Sequence, residues 1–168
     1  MQFNIKSNFS YLIISVLSFS ALVTAVLIQT YYKLNPCAIC ILARYIIIFI
    51  GFINLGLIFS SRKTTLNALR LISAVLIAIG LGYSLRHLYL VYQKIDTCSI
   101  DKLQIFLNDR PIAKEFPLLF QSTGSCLDSN FSFVGVPFTI LTFSFYLIII
   151  ILSLLPLFKK KWYNKLSI

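Results

Sequence analysis

Four long apolar runs constrain what this chain can fold into. They cover residues 9–30, 41–60, 66–92 and 136–158. A helix needs about 20 apolar residues to cross the hydrocarbon core of a bilayer, and each run meets that requirement. Only 12% of the 168 residues are charged, whereas soluble domains have about a quarter. The sequence therefore predicts one integral membrane domain over residues 1–168, an all-α bundle of four transmembrane helices.

The first run precedes any other element and raises the question of a signal peptide. Its apolar stretch is longer than the roughly 7–15 residues of a signal-peptide core, so we expect it to be retained as the first helix. With four spans in a chain of 168 residues, no room is left for a soluble domain.

The net charge of +10 is divided among the loops. Basic residues precede the first run, separate the second from the third and follow the fourth: Lys6, Arg62, Lys63, Arg70, Lys159, Lys160, Lys161 and Lys165. All five acidic residues lie between the third and fourth runs: Asp96, Asp101, Asp109, Glu115 and Asp128. Loops rich in lysine and arginine stay on the cytoplasmic side. We therefore expect cytoplasmic termini, outward-facing loops over residues 31–40 and 93–135, and no nucleic acid as a partner.

The four cysteines all lie in these two outward loops. Cys37 and Cys40 end the first loop, and Cys98 and Cys126 lie in the second. With four spans, the two loops share a side of the membrane whichever way the chain inserts. Cysteines that act as small hydrophobes would be scattered through the apolar runs. Their clustering on the side predicted to be oxidising indicates thiol–disulfide chemistry or structural bridges.

Three other roles for the cysteines each require a particular spacing or neighbour. Disulfide stabilisation grows with loop length, so a structural bridge suits Cys98–Cys126 and suits Cys37–Cys40 poorly. A zinc site usually has a second tight pair, whereas 27 residues separate Cys98 from Cys126. Haem attachment requires a histidine after the second cysteine, and Ile41 stands there. The pattern favours redox-active cysteines and predicts no metal, with two structural disulfides as the alternative.

The residues around "NPCAIC" support this chemistry. Asn35 is a good N-cap and Pro36 a good first helical residue, which predicts that the second helix begins there. Cys37 and Cys40 would then lie near the positive end of the helix dipole, which favours a thiolate. Arg44 follows Cys40 by one turn on the same face. An arginine in hydrocarbon needs water or an anion, so we expect it to meet the Cys40 thiolate or a quinone oxygen, with an interfacial anchor as the alternative.

Electrons taken from thiols need an acceptor. The chain has no flavin or nucleotide motif, and its single histidine, His87, excludes a haem with two histidine ligands. A quinone arriving through the membrane is therefore the expected acceptor. His87 lies near the outer end of the third run, at the depth of Cys40 and Arg44, and we expect it to line the same pocket. The alternative is an interfacial histidine.

Several of these residues form recognisable motifs. "PCAIC" followed by Arg44 resembles the Pro-Cys-x-x-Cys-x-x-x-Arg signature of the DsbB family, bacterial membrane proteins that regenerate the disulfide donor DsbA. "GSCLDSNFSFVGVP", residues 124–137, is similar to the segment from that family's second-loop cysteine to its last span. "LRHLYLVYQ", residues 85–93, is similar to the end of its third span, where a histidine lies near the quinone. The likeness extends over nearly the whole chain. One departure is Ala43, where many members have glutamate.

The resemblance implies an order of disulfide exchange. A reduced DsbA-like partner attacks the Cys98–Cys126 disulfide and forms a mixed disulfide with Cys98. The loop pair is then reoxidised by Cys37–Cys40, with Cys37 exchanging with Cys126. Cys40 is left as a thiolate beside ubiquinone or menaquinone, and Arg44 stabilises the negative charge. The DsbA–DsbB–quinone chain keeps the bacterial periplasm oxidising, so the resemblance implies a protein-disulfide:quinone oxidoreductase of a bacterial inner membrane.

The segment between the loop cysteines has a helical pattern of its own. Ile100, Leu103 and Phe106–Leu107 recur at helical spacing, and "FPLLF", residues 116–120, is apolar. We expect a short helix lying on the membrane lipid, with an ordinary covered loop as the alternative.

Two other classes of protein remain as alternatives. Enzymes resembling vitamin K epoxide reductase also have four helices and two cysteine pairs, but their Cys-x-x-Cys follows the loop cysteines, the reverse of the order here. A small structural or channel-like membrane protein with two structural disulfides is the second.

Overall fold

The computed structural model describes residues 5–94, 102–124, 132–133 and 136–166, with side chains over 9–94, 102–124 and 137–154. Cys98 and Cys126 lie outside these residues, so the roles expected for them stay predictions. In chain order the elements are α1 (Ile5–Tyr31), α2 (Ala38–Phe59), α3 (Lys63–Gln93), α4 (Lys102–Asn108), α5 (Pro111–Glu115), α6 (Pro117–Phe120), β1 (Ser132–Phe133), β2 (Val136–Pro137) and α7 (Phe138–Leu166).

The predicted bundle of membrane helices is confirmed. Three helices are long and apolar enough to cross a membrane, over Phe9–Tyr31, Ala38–Phe59 and Lys63–Gln93. The fourth, α7, contributes the apolar stretch Phe138–Leu154. Each helix follows one predicted run with most ends shifted by at most four residues, while α7 continues eight residues beyond the predicted end at 158. The later start of α7 has a local cause, because Val136–Pro137 pairs in antiparallel register with Ser132–Phe133 before the helix begins.

The four long helices form a closed ring, in which α1 packs on α2 and α7, and α3 packs on the same two helices. Each of these four helices supplies side chains to one central cluster, made of Ile14, Ile46, Ile47, Ile50, Ile77, Tyr146 and Ile149. Many large apolar side chains point outward instead, Phe49, Phe52 and Leu71 among them. Lipid is the environment that such an apolar outer surface requires.

Small and polar residues fix how closely the helices approach. Gly80 lies against the ring of Tyr146, where a Cβ would overlap the ring. The buried Asn54 donates from Nδ2 to the Ile50 carbonyl at 2.8 Å and to Ser73 Oγ at 3.1 Å, which joins α2 to α3. Close contacts at small residues and hydrogen bonds between helices are the usual means of association where all surfaces are apolar.

The segment between α3 and α7 contains the predicted short helix. Leu103 and Leu107 of α4 pack on Ala38 and Ile41, at the start of α2. The opposite side of α4 exposes Ile105 and Phe106. The helix therefore covers the beginning of α2 with one face and leaves an apolar face outward. Its contact with lipid stays a prediction.

Candidate thiol site at the start of α2

Cys37 is the N-cap of α2. Its backbone is extended (φ −81°, ψ 167°), and its Sγ accepts a hydrogen bond from the amide of Cys40 at 3.4 Å. The sequence predicted a helix beginning at Asn35 and Pro36, and that prediction was wrong by about two residues. The thiol itself takes the place that a serine or aspartate oxygen usually has at a helix start.

The reason for the later start is the Pro36 carbonyl. In a helix that began at Pro36, this oxygen would accept the Cys40 amide four residues on. It instead accepts hydrogen bonds from the amides of Thr123 and Gly124, both at 3.1 Å. The second loop thereby occupies the Pro36 carbonyl that a helix beginning at Pro36 would need for the Cys40 amide. Cys37 Sγ accepts the hydrogen bond from that amide instead.

The two thiols of the Cys-x-x-Cys motif lie against each other and beside His87. The Sγ atoms of Cys37 and Cys40 are 3.1 Å apart, and Cys37 Sγ lies 3.9 Å from His87 Nε2. Cys37 is fully buried and His87 is 5% exposed, so both side chains are enclosed by the protein at this point. The hydrogen bond from the Cys40 thiol, helped by His87, holds the pKa of the Cys37 thiol well below its usual range despite burial.

Arg44 is buried, at 7% exposure, on the same side of α2 as Cys40. Its Nη1 donates to the carbonyls of Leu118 and Leu119 at 3.4 and 3.1 Å, and its Nη2 donates to Gln29 Oε1. Gln29 Nε2 also donates to the Leu118 carbonyl, at 3.2 Å. The guanidinium therefore joins α1 and α6 to α2 in addition to facing the thiols, and sequence reasoning missed both contacts.

Cys40, Arg44 and His87 share one cavity of about 460 Å³. The rest of its lining is mostly apolar and comes chiefly from α1, α2 and α7, including Leu17, Ile28, Ile39, Ile47, Leu141 and Phe145. A volume of this size suits a small organic ring, and a few polar groups in an apolar wall are what orient such a ligand. An apolar ligand in this cavity would lie within reach of a thiol, a cation and an imidazole.

A second set of contacts fastens the loop to the start of α2. We call residues Ser122–Gly124 the clasp. The Pro36 carbonyl accepts hydrogen bonds from the backbone amides of Thr123 and Gly124, as described above. Ser122 Oγ also donates to this carbonyl, at 3.3 Å. Asn108 of α4 holds Ser122 through a pair of hydrogen bonds, each of 2.8 Å. A Cβ on Gly124 would overlap the Asn35 carbonyl, so only glycine permits this approach.

The structure brings together four of the six predicted site residues: Cys37, Cys40, Arg44 and His87. The other two, Cys98 and Cys126, lie outside the described residues. Sequence reasoning did not find Gln29 or the clasp. A single glutamine near a helix end and a Ser-Thr-Gly segment are too common to be recognised as parts of a site without their partners.

The fold and this site define a class of protein, a polytopic helical membrane protein with a thiol pair, an arginine and a histidine at one end of its bundle. Comparison with known families narrows the class. The chain belongs to the DsbB family, since the sequence model described as "Disulfide bond formation protein DsbB" matches residues 7–156. The predicted family is confirmed, and the vitamin K epoxide reductase alternative is not supported.

Individual relatives agree with the family. The chain is 32% identical over 127 residues to the disulfide bond formation protein B of Cupriavidus metallidurans, covering 75% of this chain and 76% of that protein. It is 38% and 36% identical over 94 residues to proteins named disulfide bond formation protein B 1 from Pseudomonas fluorescens and Pseudomonas putida. These two matches span about half of each chain, 54% in both cases.

Proposed function

We propose that this protein is a membrane thiol oxidoreductase that reoxidises a DsbA-like disulfide donor and passes the electrons to a membrane quinone. The single observation that carries the proposal is the shared cavity, in which Cys40, Arg44 and His87 meet an apolar wall. The protein would lie in a bacterial inner membrane with both termini cytoplasmic and its cysteines on the periplasmic side.

The first stage is exchange between the partner and the loop cysteines. The partner's two thiols reduce the Cys98–Cys126 disulfide, and the partner leaves as a disulfide. A mixed disulfide between the partner and Cys98 is the intermediate, and the Cys126 thiol is released. Two electrons and two protons are thereby transferred to the loop pair.

The second stage moves these electrons to Cys37–Cys40. Cys126 follows the clasp residue Gly124 by two positions, and two residues of chain span at most about 7 Å. The clasp is hydrogen-bonded to the carbonyl of Pro36, which directly precedes Cys37. This connection supports a mixed disulfide between Cys126 and Cys37. Attack of the Cys126 thiolate on Cys37 breaks the Cys37–Cys40 bond and leaves the negative charge on the Cys40 sulfur. Cys98 then attacks Cys126, which restores the loop disulfide and releases the reduced Cys37.

The third stage returns Cys37–Cys40 to the disulfide as the pair gives up two electrons. A bound quinone supplies the acceptor for two electrons and two protons. Arg44 would stabilise negative charge at Cys40 and at an acceptor oxygen, because its guanidinium keeps its proton and lies buried beside mostly apolar side chains. His87, 3.9 Å from Cys37 Sγ, is placed to hold or give a proton.

A quinone-reduction assay tests the proposal. Purified protein is mixed with a reduced DsbA-like protein and ubiquinone or menaquinone, and loss of the oxidised quinone's absorbance is followed. We expect loss in the native chain and none in single alanine variants of the four cysteines. Absence of loss in the native chain, with the partner bound or not, would favour the alternative of a structural protein with two disulfides.

A further inference from the structure

Three atoms of the ligand types preferred by zinc converge at the start of α2. Cys37 Sγ, Cys40 Sγ and a ring nitrogen of His87 all lie within 4.8 Å of one another. Thiolate sulfur and imidazole nitrogen are the usual ligands of zinc and related soft cations. We propose that the reduced Cys37–Cys40 pair and His87 bind a thiophilic divalent cation such as Zn²⁺ or Cd²⁺, and that the bound ion blocks reoxidation of the pair.

The distances require only a small adjustment. Two thiolates at about 2.3 Å from a tetrahedral zinc ion lie about 3.8 Å apart, and a thiolate and an imidazole nitrogen about 3.5 Å apart. The observed separations are 3.1 Å between the sulfurs and 3.9 Å between Cys37 Sγ and His87 Nε2. Cys40 Sγ and a ring nitrogen of His87 lie within 4.8 Å of each other, so these two side chains would turn towards each other when the ion binds.

The charges also favour such an ion. Both sulfurs bind the ion as thiolates, so a divalent cation with two thiolates and a neutral imidazole leaves no net charge to bury. Arg44 is the nearby cation, and its guanidinium is turned to the carbonyls of Leu118 and Leu119 and to Gln29. Among the described residues lining the cavity there is no carboxylate, which disfavours Mg²⁺ and Ca²⁺.

Three protein ligands leave the fourth position of a tetrahedral ion open, and a water molecule would fill that position. The disulfide form offers no thiolate, so the ion should bind only the reduced pair. The sequence predicted no metal, and the ion proposed here is an inhibitor of one redox state and not a resident cofactor. The binding claim is independent of the proposed function, while the claim of inhibition rests on it.

Cadmium binding tests the site without partner or quinone. The full chain carrying Cys98→Ser and Cys126→Ser is purified in detergent, reduced, freed of reductant without oxygen and titrated with Cd²⁺. We expect one ion per chain and a thiolate-to-cadmium charge-transfer band in the ultraviolet, and neither after oxidation of the pair. His87→Gln should weaken binding at least about tenfold, the size of effect that even outer contacts of a metal site produce.

Arg86→Gln is the matched control, since Arg86 is the exposed neighbour of His87 on α3 and should leave cadmium affinity unchanged. Equal affinity in His87→Gln and the native chain, or binding to the oxidised pair, would overturn the three-ligand site. Should His87→Gln fail to fold, X-ray absorption at the zinc edge of the native reduced protein decides the matter. Scattering from an imidazole ligand would support the site, and a zinc coordination sphere without imidazole would refute it.

The inhibitory claim has its own test. Zn²⁺ added to the quinone-reduction assay should stop turnover, and a chelator should restore it. Turnover that continues while the ion is bound would refute the block and leave the site standing. A protein that binds Cd²⁺ as described but oxidises no partner would refute the proposed function and leave the binding site intact.

Discussion

Arg44 has two sets of neighbours, and they predict different effects of replacing it. Its charge faces Cys37 and Cys40, while its N–H groups bond to α6 and to Gln29. A substitution at Arg44 therefore alters the electrostatics of the cavity and the attachment of the loop together. A useful experiment has to separate these two effects.

Arg44→Gln should weaken the use of quinone about ten- to a hundredfold, since a charge-assisted hydrogen bond is worth about 1.5–3 kcal/mol. Arg44→Lys should recover part of the loss, because lysine keeps the charge and lacks the planar fork. The measurement is steady-state oxidation of the partner across a range of quinone concentrations.

Gln29→Ala is the control, because it removes one attachment of α6 and keeps the charge of Arg44. It should change the quinone dependence less than Arg44→Gln does, since the guanidinium charge stays in the cavity. Single-turnover exchange without quinone is measured beside it for every variant. If Arg44→Gln slowed this exchange and left the quinone dependence unchanged, Arg44 would be an anchor for the loop and not part of the acceptor site.

Cys98 and Cys126 have distinct predicted roles. Cys126→Ala should trap a mixed disulfide between the partner and Cys98, because the thiol that would resolve it is gone. Non-reducing electrophoresis after mixing with reduced partner shows the adduct. Trapping in Cys98→Ala with none in Cys126→Ala would reverse the assignment.

At the scale of single elements, the start of α2 is defined by the loop as much as by its own sequence. The clasp occupies the Pro36 carbonyl, and α4 covers Ala38 and Ile41. Hydrogen bonds thus link the clasp, which precedes Cys126 in sequence, to Pro36, which precedes Cys37. We expect the clasp to position the proposed exchange between the two cysteine pairs.

Gly124→Ala should slow transfer of electrons from the loop pair to Cys37–Cys40. Two backbone hydrogen bonds would be lost, each worth about 0.5–1.5 kcal/mol, so we expect a decrease of about five- to a hundredfold. Thiols at Cys37 and Cys40 are alkylated at intervals after mixing with reduced partner in the absence of quinone.

Thr123→Ala is the matched variant for Gly124→Ala, because it retains both backbone donors and should transfer electrons at nearly the native rate. Formation of the adduct with the partner should be unaffected in both. Equal transfer rates in Gly124→Ala and the native chain would show that the clasp does not position the exchange.

Two glycines of α3 offer a comparison within one helix. Gly80→Ala should destabilise the bundle by about 1–3 kcal/mol, because the added Cβ would overlap the Tyr146 ring. Gly82→Ala has open space around it and should be neutral or slightly stabilising, since alanine is the better helix former. Thermal unfolding in detergent measures both. A lower midpoint for Gly82→Ala than for Gly80→Ala would contradict the packing of α3 on α7.

At the scale of the whole molecule, the charge distribution predicts how the bundle lies in the membrane. Single cysteines placed at Lys63 and Lys161 in a cysteine-free chain should be protected from an impermeant thiol reagent added outside spheroplasts, and one at Asp109 should react. The reason is the concentration of basic residues in the loops predicted to be cytoplasmic. Labelling at Lys63 with protection at Asp109 would invert the bundle and remove the case for periplasmic chemistry.

The bundle and part of the site were predictable because their signals are local or set by the bilayer. Membrane thickness determines the length of an apolar run, and helical spacing alone places Cys40 and Arg44 on one side of α2. The placement of His87 near Cys40 and Arg44 required an argument from depth, and its approach to Cys37, 50 positions earlier in the chain, was not predicted.

The remaining contacts depend on tertiary structure. Ser122 and Pro36 are 86 residues apart, and Gln29 reaches Arg44 only because α1 packs on α2. The predicted helix start failed for the same reason, as a distant segment competes for the Pro36 carbonyl. Local propensity contains no information about that competition.

The position of Cys37 as the cap of α2 has a spectroscopic consequence. The acceptor of the Cys40 amide is a sulfur atom whose charge and bonding change at every turnover in the proposed cycle. A thiolate is a stronger acceptor than a disulfide sulfur, so the strength of one backbone hydrogen bond at the end of the helix follows the oxidation state. The Cys40 N–H vibration and amide chemical shift are therefore natural reporters of electron flow, readable by isotope-edited infrared or NMR spectroscopy in a chain that carries no probe.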